Sequence, residues 1–410
     1  MPHSGGPRSL LLLVSTTALV ACGGATSAHH GGVAAASPAP SCSTAPGALD
    51  PAAAAPRGPW PQAERDALHT ATAPVVGPQR GTVRWRRHLE GAVTPGPIVG
   101  AGDVVYAASN GGVLHAIDLA TGRDLWTFDG GGAYGSDLST SPALLDGGLL
   151  LWPGPRDTLD ALDAATGRLL WQRNFGAMVL SPAPGARHVY VATMDGRLDA
   201  LTVSRSAAHV DWTTDLGTHA DSYGSPAVGA DGTVYGTAGN RIVAVRDDGD
   251  RATPLWHFDI ASGTEVSPAV SPAGVAVFGT NDASEYGLGP TGQVAWRFPR
   301  DSLTYSSPAV APNGVAYFGD HRGRIDAVDT RDGCSVATYA LAGEVWTAPA
   351  IDRDGDVYAG TKTGHITGFR ANGTRLFDIA TTGVVDSYPA IAGDGTLLIG
   401  SGDGNLYAIR

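Results

Sequence analysis

From Val83 onward, apolar and polar residues alternate with a period of two, in short runs broken by Gly, Asp and Asn. That period puts successive side chains on opposite faces of a strand. The stretch 225–259 reads SPAV, a turn at Asp231-Gly232, TVYGTA, a turn at Gly239-Asn240, RIVAVR, a loop, then PLWHF. It predicts four short antiparallel strands joined by turns, with no helical period.

The unit recurs. A small residue, a proline and an apolar residue appear at Gly96-Pro97-Ile98, Ser141-Pro142-Ala143, Ser181-Pro182-Ala183 and Ser225-Pro226-Ala227. They return at Ser267-Pro268-Ala269, Ser307-Pro308-Ala309, Ala348-Pro349-Ala350 and Tyr388-Pro389-Ala390. The prolines are spaced 45, 40, 44, 42, 40, 41 and 40 residues apart. An aromatic series runs in phase: Trp85, Trp126, Trp171, Trp212, Trp256, Trp296, Tyr339 and Phe377. Eight such copies predict an all-β, eight-bladed β-propeller of four-stranded antiparallel blades over residues 82–410. The last copy ends in its third strand, NLYAIR, at Arg410, and a spare strand, GTVRWRRHL, precedes the first copy at 81–89. The spare strand is expected to pair with the last blade, which closes the ring and removes an exposed edge.

Upstream the pattern changes. Arg8 precedes a short apolar run that ends in Leu19-Val20-Ala21-Cys22. This predicts a secretory signal over 1–21, too short to span a bilayer permanently. The last four residues resemble the bacterial lipobox, and that resemblance implies lipidation of Cys22 and an anchor of acyl chains in a membrane. Residues 22–81 are rich in Ala, Pro, Ser and Gly and are expected to be a tether, with at most a turn or two of helix in 60–70.

Composition narrows the field. The 410 residues carry a net charge of −12, which argues against nucleic acid as a partner. Catalytic signatures such as HExxH, GxSxG, CxxC and GxxxxGK[ST] are missing. The run Asp352-Arg353-Asp354-Gly355-Asp356 has alternate carboxylates but lacks the glycine and glutamate of a calcium loop, and reads as a turn. Export would put Cys42 and Cys334 in an oxidising compartment, where they are candidates for a bridge.

Asn110 to Trp126 reads NGGVLHAIDLATGRDLW, and Arg156 to Trp171 reads RDTLDALDAATGRLLW. Both resemble the PQQ-type repeat, whose tryptophans dock between neighbouring blades. The resemblance therefore implies a structural role for Trp85, Trp126, Trp171, Trp212, Trp256 and Trp296. One branch of the family, the quinoprotein alcohol dehydrogenases, holds pyrroloquinoline quinone and Ca²⁺ on the propeller axis. Its adjacent cysteine pair has no counterpart here, and repeats near 41 residues leave little room for its cofactor-enclosing insertions. The other branch comprises non-catalytic lipoproteins such as the outer-membrane assembly factor BamB. Resemblance to it implies no cofactor and no metal, an envelope protein or peptide as partner, and a lipid-anchored monomer on the outer membrane or, in a host without one, on the plasma membrane. A quinone-dependent or polysaccharide-active enzyme, and a ligand or carbohydrate sensor, remain the alternatives.

Innermost strands line the channel of a propeller, so the residues before each proline face its mouth. There the chain places Asp137, Asp221, Tyr223, Glu265, Tyr305, Glu344, Trp346 and Asp386. If these converge, they form an acidic, partly aromatic funnel suited to cations or basic peptides. If their directions alternate, several instead cap strand ends.

Overall fold

The middle strands of each repeat are apolar on both faces, as in Leu149–Gly154 and Thr233–Ala238, and every residue of these two is buried. The outer strands alternate half-buried with exposed, as in Asp124–Asp129. A strand sandwiched between two neighbours needs apolar residues throughout, whereas a perimeter strand needs them on one side only. A computed structural model describes residues 60–134, 140–217 and 223–410 and arranges these strands as eight four-stranded antiparallel sheets. Blades 1 to 7 occupy 98–129, 143–174, 183–215, 227–259, 269–299, 309–340 and 350–380. Blade 8 takes its three inner strands from 390–409 and its outermost from Val83–His88. That strand pairs in register from Val83 opposite Ile409 to His88 opposite Asn405, so the ring closes as the spare strand predicts.

The aromatic series sits between blades. Trp85, Trp126, Trp171, Trp256 and Trp296 donate their indole N–H to carbonyls of Leu119, Ala164, Ser204, Pro290 and Thr330, each on the next blade. Trp212 donates instead to the Asp247 carboxylate. Several rings lie flat on a turn glycine. A Cβ at Gly122 or Gly167, both at φ +70°, would lie within 2.7 Å of Trp85 or 2.5 Å of Trp126.

The folded unit also extends upstream of residue 82, into the stretch that composition assigns to the tether. Each innermost strand is two or three residues long and turns one edge to the channel. Its exposed amides need partners. The leader 60–73 crosses the channel and supplies them. Val99, Leu144, Val228, Val270, Val310 and Ile351 donate backbone N–H to the carbonyls of Trp60, Pro61, Ala67, Leu68, His69 and Ala71. In blade 3 the corresponding residue is Pro184, which has no N–H to satisfy. The chain then passes over blade 7, where Arg353 N–H bonds the Val75 carbonyl and Gly77 N–H bonds Asp352 Oδ2 at 2.8 Å. The turn at 352–356 is thereby occupied. Asp352 Oδ1 accepts from the Asp354 and Asp356 amides, and Asp356 Oδ2 accepts from Gln79.

The leader is strained. Glu64, Arg65, His69 and Ala71 have φ of +51°, +77°, +58° and +44°. Each such residue costs about 1–2 kcal/mol and persists only where its surroundings hold it. Cys22, Cys42, Asp137 and Asp221 lie outside the described residues.

Candidate functional site at the channel mouth

Antiparallel order puts the turns between first and second strands, and between third and fourth, on one face of the ring. The blade-to-blade loops and the second turn of each blade lie on the other. The leader bonds the last residue of most innermost strands, so it closes the channel toward the first face. The mouth lies at the second. Glu64 and His69 meet in the closed end, with His69 Nδ1 3.0 Å from Glu64 Oε2 and 2.8 Å from the Pro268 carbonyl. Burial opposes charge on the His69 ring, but Glu64 and the carbonyl outweigh it, and its pKa is raised. Above them Tyr388 of blade 8 reaches to within 3.4 Å of Ser307 Oγ in blade 6.

Three residues before the repeat proline stand Thr94, Ser139, Val179, Tyr223, Glu265, Tyr305, Trp346 and Asp386 in blade order. Among the described residues, those over blades 4 to 8 are aromatic or acidic. Five blocks of chain converge in the second half. Tyr305, His321 and Trp346 form an aromatic cluster. Tyr305 stands edge-on to both others, with centroids at 4.8 and 5.0 Å, and His321 is stacked on Trp346 at 5.3 Å. Trp346 Nε1 donates to Glu344 Oε2 at 2.7 Å. Lys362 Nζ lies 3.8 Å from the Trp346 centroid and donates to Asp386 Oδ2 at 2.6 Å. Burial, then the charge of Glu265, raises the pKa of the Tyr305 hydroxyl.

Glu265, Tyr305, Glu344, Trp346 and Asp386 are thus brought to one sector. Tyr223 is 36% exposed on the loop into blade 4, two blades from Tyr305. His321 and Lys362 did not emerge from reading the loops before each proline. They come from the second turn of blades 6 and 7, in equivalent positions after Gly319-Asp320 and Gly360-Thr361. Backbone bonds from His321 to Leu303 and from Lys362 to Glu344 hold those turns against the mouth loops. One signal was present: Lys362 is the only lysine in the chain. It cancels part of the acidity expected there.

A second charged cluster lies between blades 5 and 6. Arg300 bonds Glu285 at 3.0 Å and lies 3.5 Å from both Asp320 and Asp326, with its side chain wholly buried over Phe318. Among the described residues, no group of three or more His, Cys, Asp or Glu side chains is placed to hold a metal ion.

A family model described as "Outer membrane protein assembly factor BamB" matches residues 71–138, 114–270 and 282–410. The chain belongs to the BamB family. The match to this family starts inside the leader, at residue 71. Among solved structures, the fold of this BamB-family chain is similar to BamB from Moraxella catarrhalis, with TM-score 0.63 and 16% identity over 80% of this chain and 99% of that one. It is also similar to the quinohemoprotein alcohol dehydrogenase of Comamonas testosteroni, with TM-score 0.69 and 15% identity over 87% and 81%. A europium-containing methanol dehydrogenase gives TM-score 0.66 and 12% identity over 85% and 91%. At such identities the likeness is one of fold. No curated protein matches the chain in sequence.

Proposed function

We propose that this chain is a non-enzymatic, lipid-anchored scaffold of the cell envelope that presents its loop-bearing mouth to a protein partner. In a host with an outer membrane, the partner system would be that of outer-membrane protein assembly. The observation that carries the reading is the leader across the channel. The leader closes one end of the channel and Tyr388 reaches across above it, which supports the reading because the dehydrogenase branch that the repeats resemble holds its quinone on the propeller axis. No helix of the described residues is long and apolar enough to cross a membrane. The lipobox-like Leu19-Val20-Ala21-Cys22 supports attachment by acyl chains at Cys22.

Two experiments test the reading. Protein incubated with pyrroloquinoline quinone and Ca²⁺ should reduce no dye in the presence of alcohols or sugars; dye-linked oxidation would refute the scaffold. Deleting the gene in a host with an outer membrane should lower the amount of folded β-barrel protein there. Unchanged levels would remove the assembly role.

A further inference from the structure

The mouth sector of blades 5 to 8 has the chemistry of a small-molecule site. It combines half-buried rings, Tyr305 and Trp346, with Leu303 and Val384 exposed at 40% and 37% two residues before Tyr305 and Asp386. One buried polar atom of this cluster, His321 Nε2, has no hydrogen-bond partner, although its ring is stacked on Trp346. An unpartnered buried polar atom is costly, so it marks a place where a ligand's own group is accommodated.

Charge decides the ligand class. A cation would meet Lys362, already over the Trp346 ring and bonded to Asp386. An anion would meet Glu265, Glu344 and Asp386. A neutral polyhydroxylated molecule is repelled by neither. Its hydroxyls both donate and accept, which suits a sector holding an ammonium, an imidazole and carboxylates together. Its ring C–H faces suit the aromatic and aliphatic side chains. We propose that this sector binds a neutral saccharide, with Lys362 as the residue that excludes cations and His321 as the hydrogen-bond partner of a sugar hydroxyl. This site does not depend on the scaffold reading, and either can fail without the other.

The test is calorimetric titration of the intact chain with neutral tetrasaccharides of glucose (β- and α-linked), N-acetylglucosamine and mannose. Spermidine and citrate serve as the charged arms. At least one saccharide should bind in the millimolar range or tighter, and more strongly than either charged probe. His321→Ala should weaken it roughly tenfold, the equivalent of one hydrogen bond. Lys362→Met should gain affinity for spermidine. Because Lys362 is partly exposed and bonds by its side chain only to the mouth, that variant keeps the test usable if the His321 variant fails to fold. Binding of spermidine or citrate alone to the unaltered protein, or of no saccharide in the set, would overturn the proposal.

Discussion

Trp296 is 3% exposed, and its indole N–H reaches the Thr330 carbonyl of the next blade at 2.8 Å. Its ring lies against Gly333 at φ +75°, where an added Cβ would come within 2.7 Å of Trp296 Cβ. Trp296→Ala should therefore lower stability by about 3–5 kcal/mol, through lost burial and an orphaned carbonyl. Urea denaturation measures this, and a loss under about 1 kcal/mol would mean that the blades hold together without the ring. Glu285 tests a different residue-scale effect. Burial pushes its carboxyl up to about 8, against the pull of Arg300. The folded-state pKa lies above the unfolded one, so the contribution of Glu285 is full below about pH 4.5 and is lost as pH rises through about 8. Melting temperatures of wild type and Glu285→Gln should diverge across that window, with wild type falling relative to the variant as pH rises. Parallel curves would show that Glu285 is ionised throughout.

At the scale of elements, the leader is the least expected piece. Its strain gives a direct prediction. Ala71 is 2% exposed at φ +44°, so Ala71→Gly should raise stability by about 1 kcal/mol despite the extra freedom glycine gives the unfolded chain. A lowered melting temperature would show that the methyl group's packing outweighs the strain. The strands themselves were legible because side chains write them. The period-two runs, the Asp-Gly turns and the proline before each innermost strand all reflect packing and φ requirements. The leader was not legible because it acts through carbonyl oxygens. Six innermost strands accept it by backbone alone, and no spacing of side chains encodes that. Trp60, buried to 2% exposure at the leader's start, was the one residue out of character with a solvated tether. The mouth was half legible for a related reason. Loop residues counted back from the proline found Tyr305 and Trp346, whereas His321 and Lys362 reach the same place from a turn about 16 residues downstream of each, and only the curvature of the blade brings them together.

On the scale of the whole molecule, two links join distant parts of the chain. One is covalent. Cys334 is disulfide-bonded, and it sits in the turn before the outer strand Ser335–Ala340 of blade 6, on the face closed by the leader. With Cys22 acylated, the partner would be Cys42, so peptide mapping without reduction should recover a Cys42–Cys334 pair. Recovery of Cys22 in that pair would contradict the lipid anchor. The other link is the pairing of Val83–His88 with Asn405–Ile409. Each blade packs on two neighbours, so the ring gains its last interface, between blades 8 and 1, only when this pairing forms. Opening it exposes the edges of both strands and leaves blades 8 and 1 each with one uncovered face. Ending the chain before Asn405 should therefore do more than release one strand. Apolar core residues Leu406, Tyr407, Ala408 and Ile409 disappear with it, and the buried cluster they join spans blades 6, 7, 8 and 1. The expected result is loss of the single cooperative melting transition together with aggregation, seen by calorimetry and light scattering. A truncated chain that melts within a few degrees of the full one would mean that the blades are stable as a stack, and that ring closure adds little to their stability.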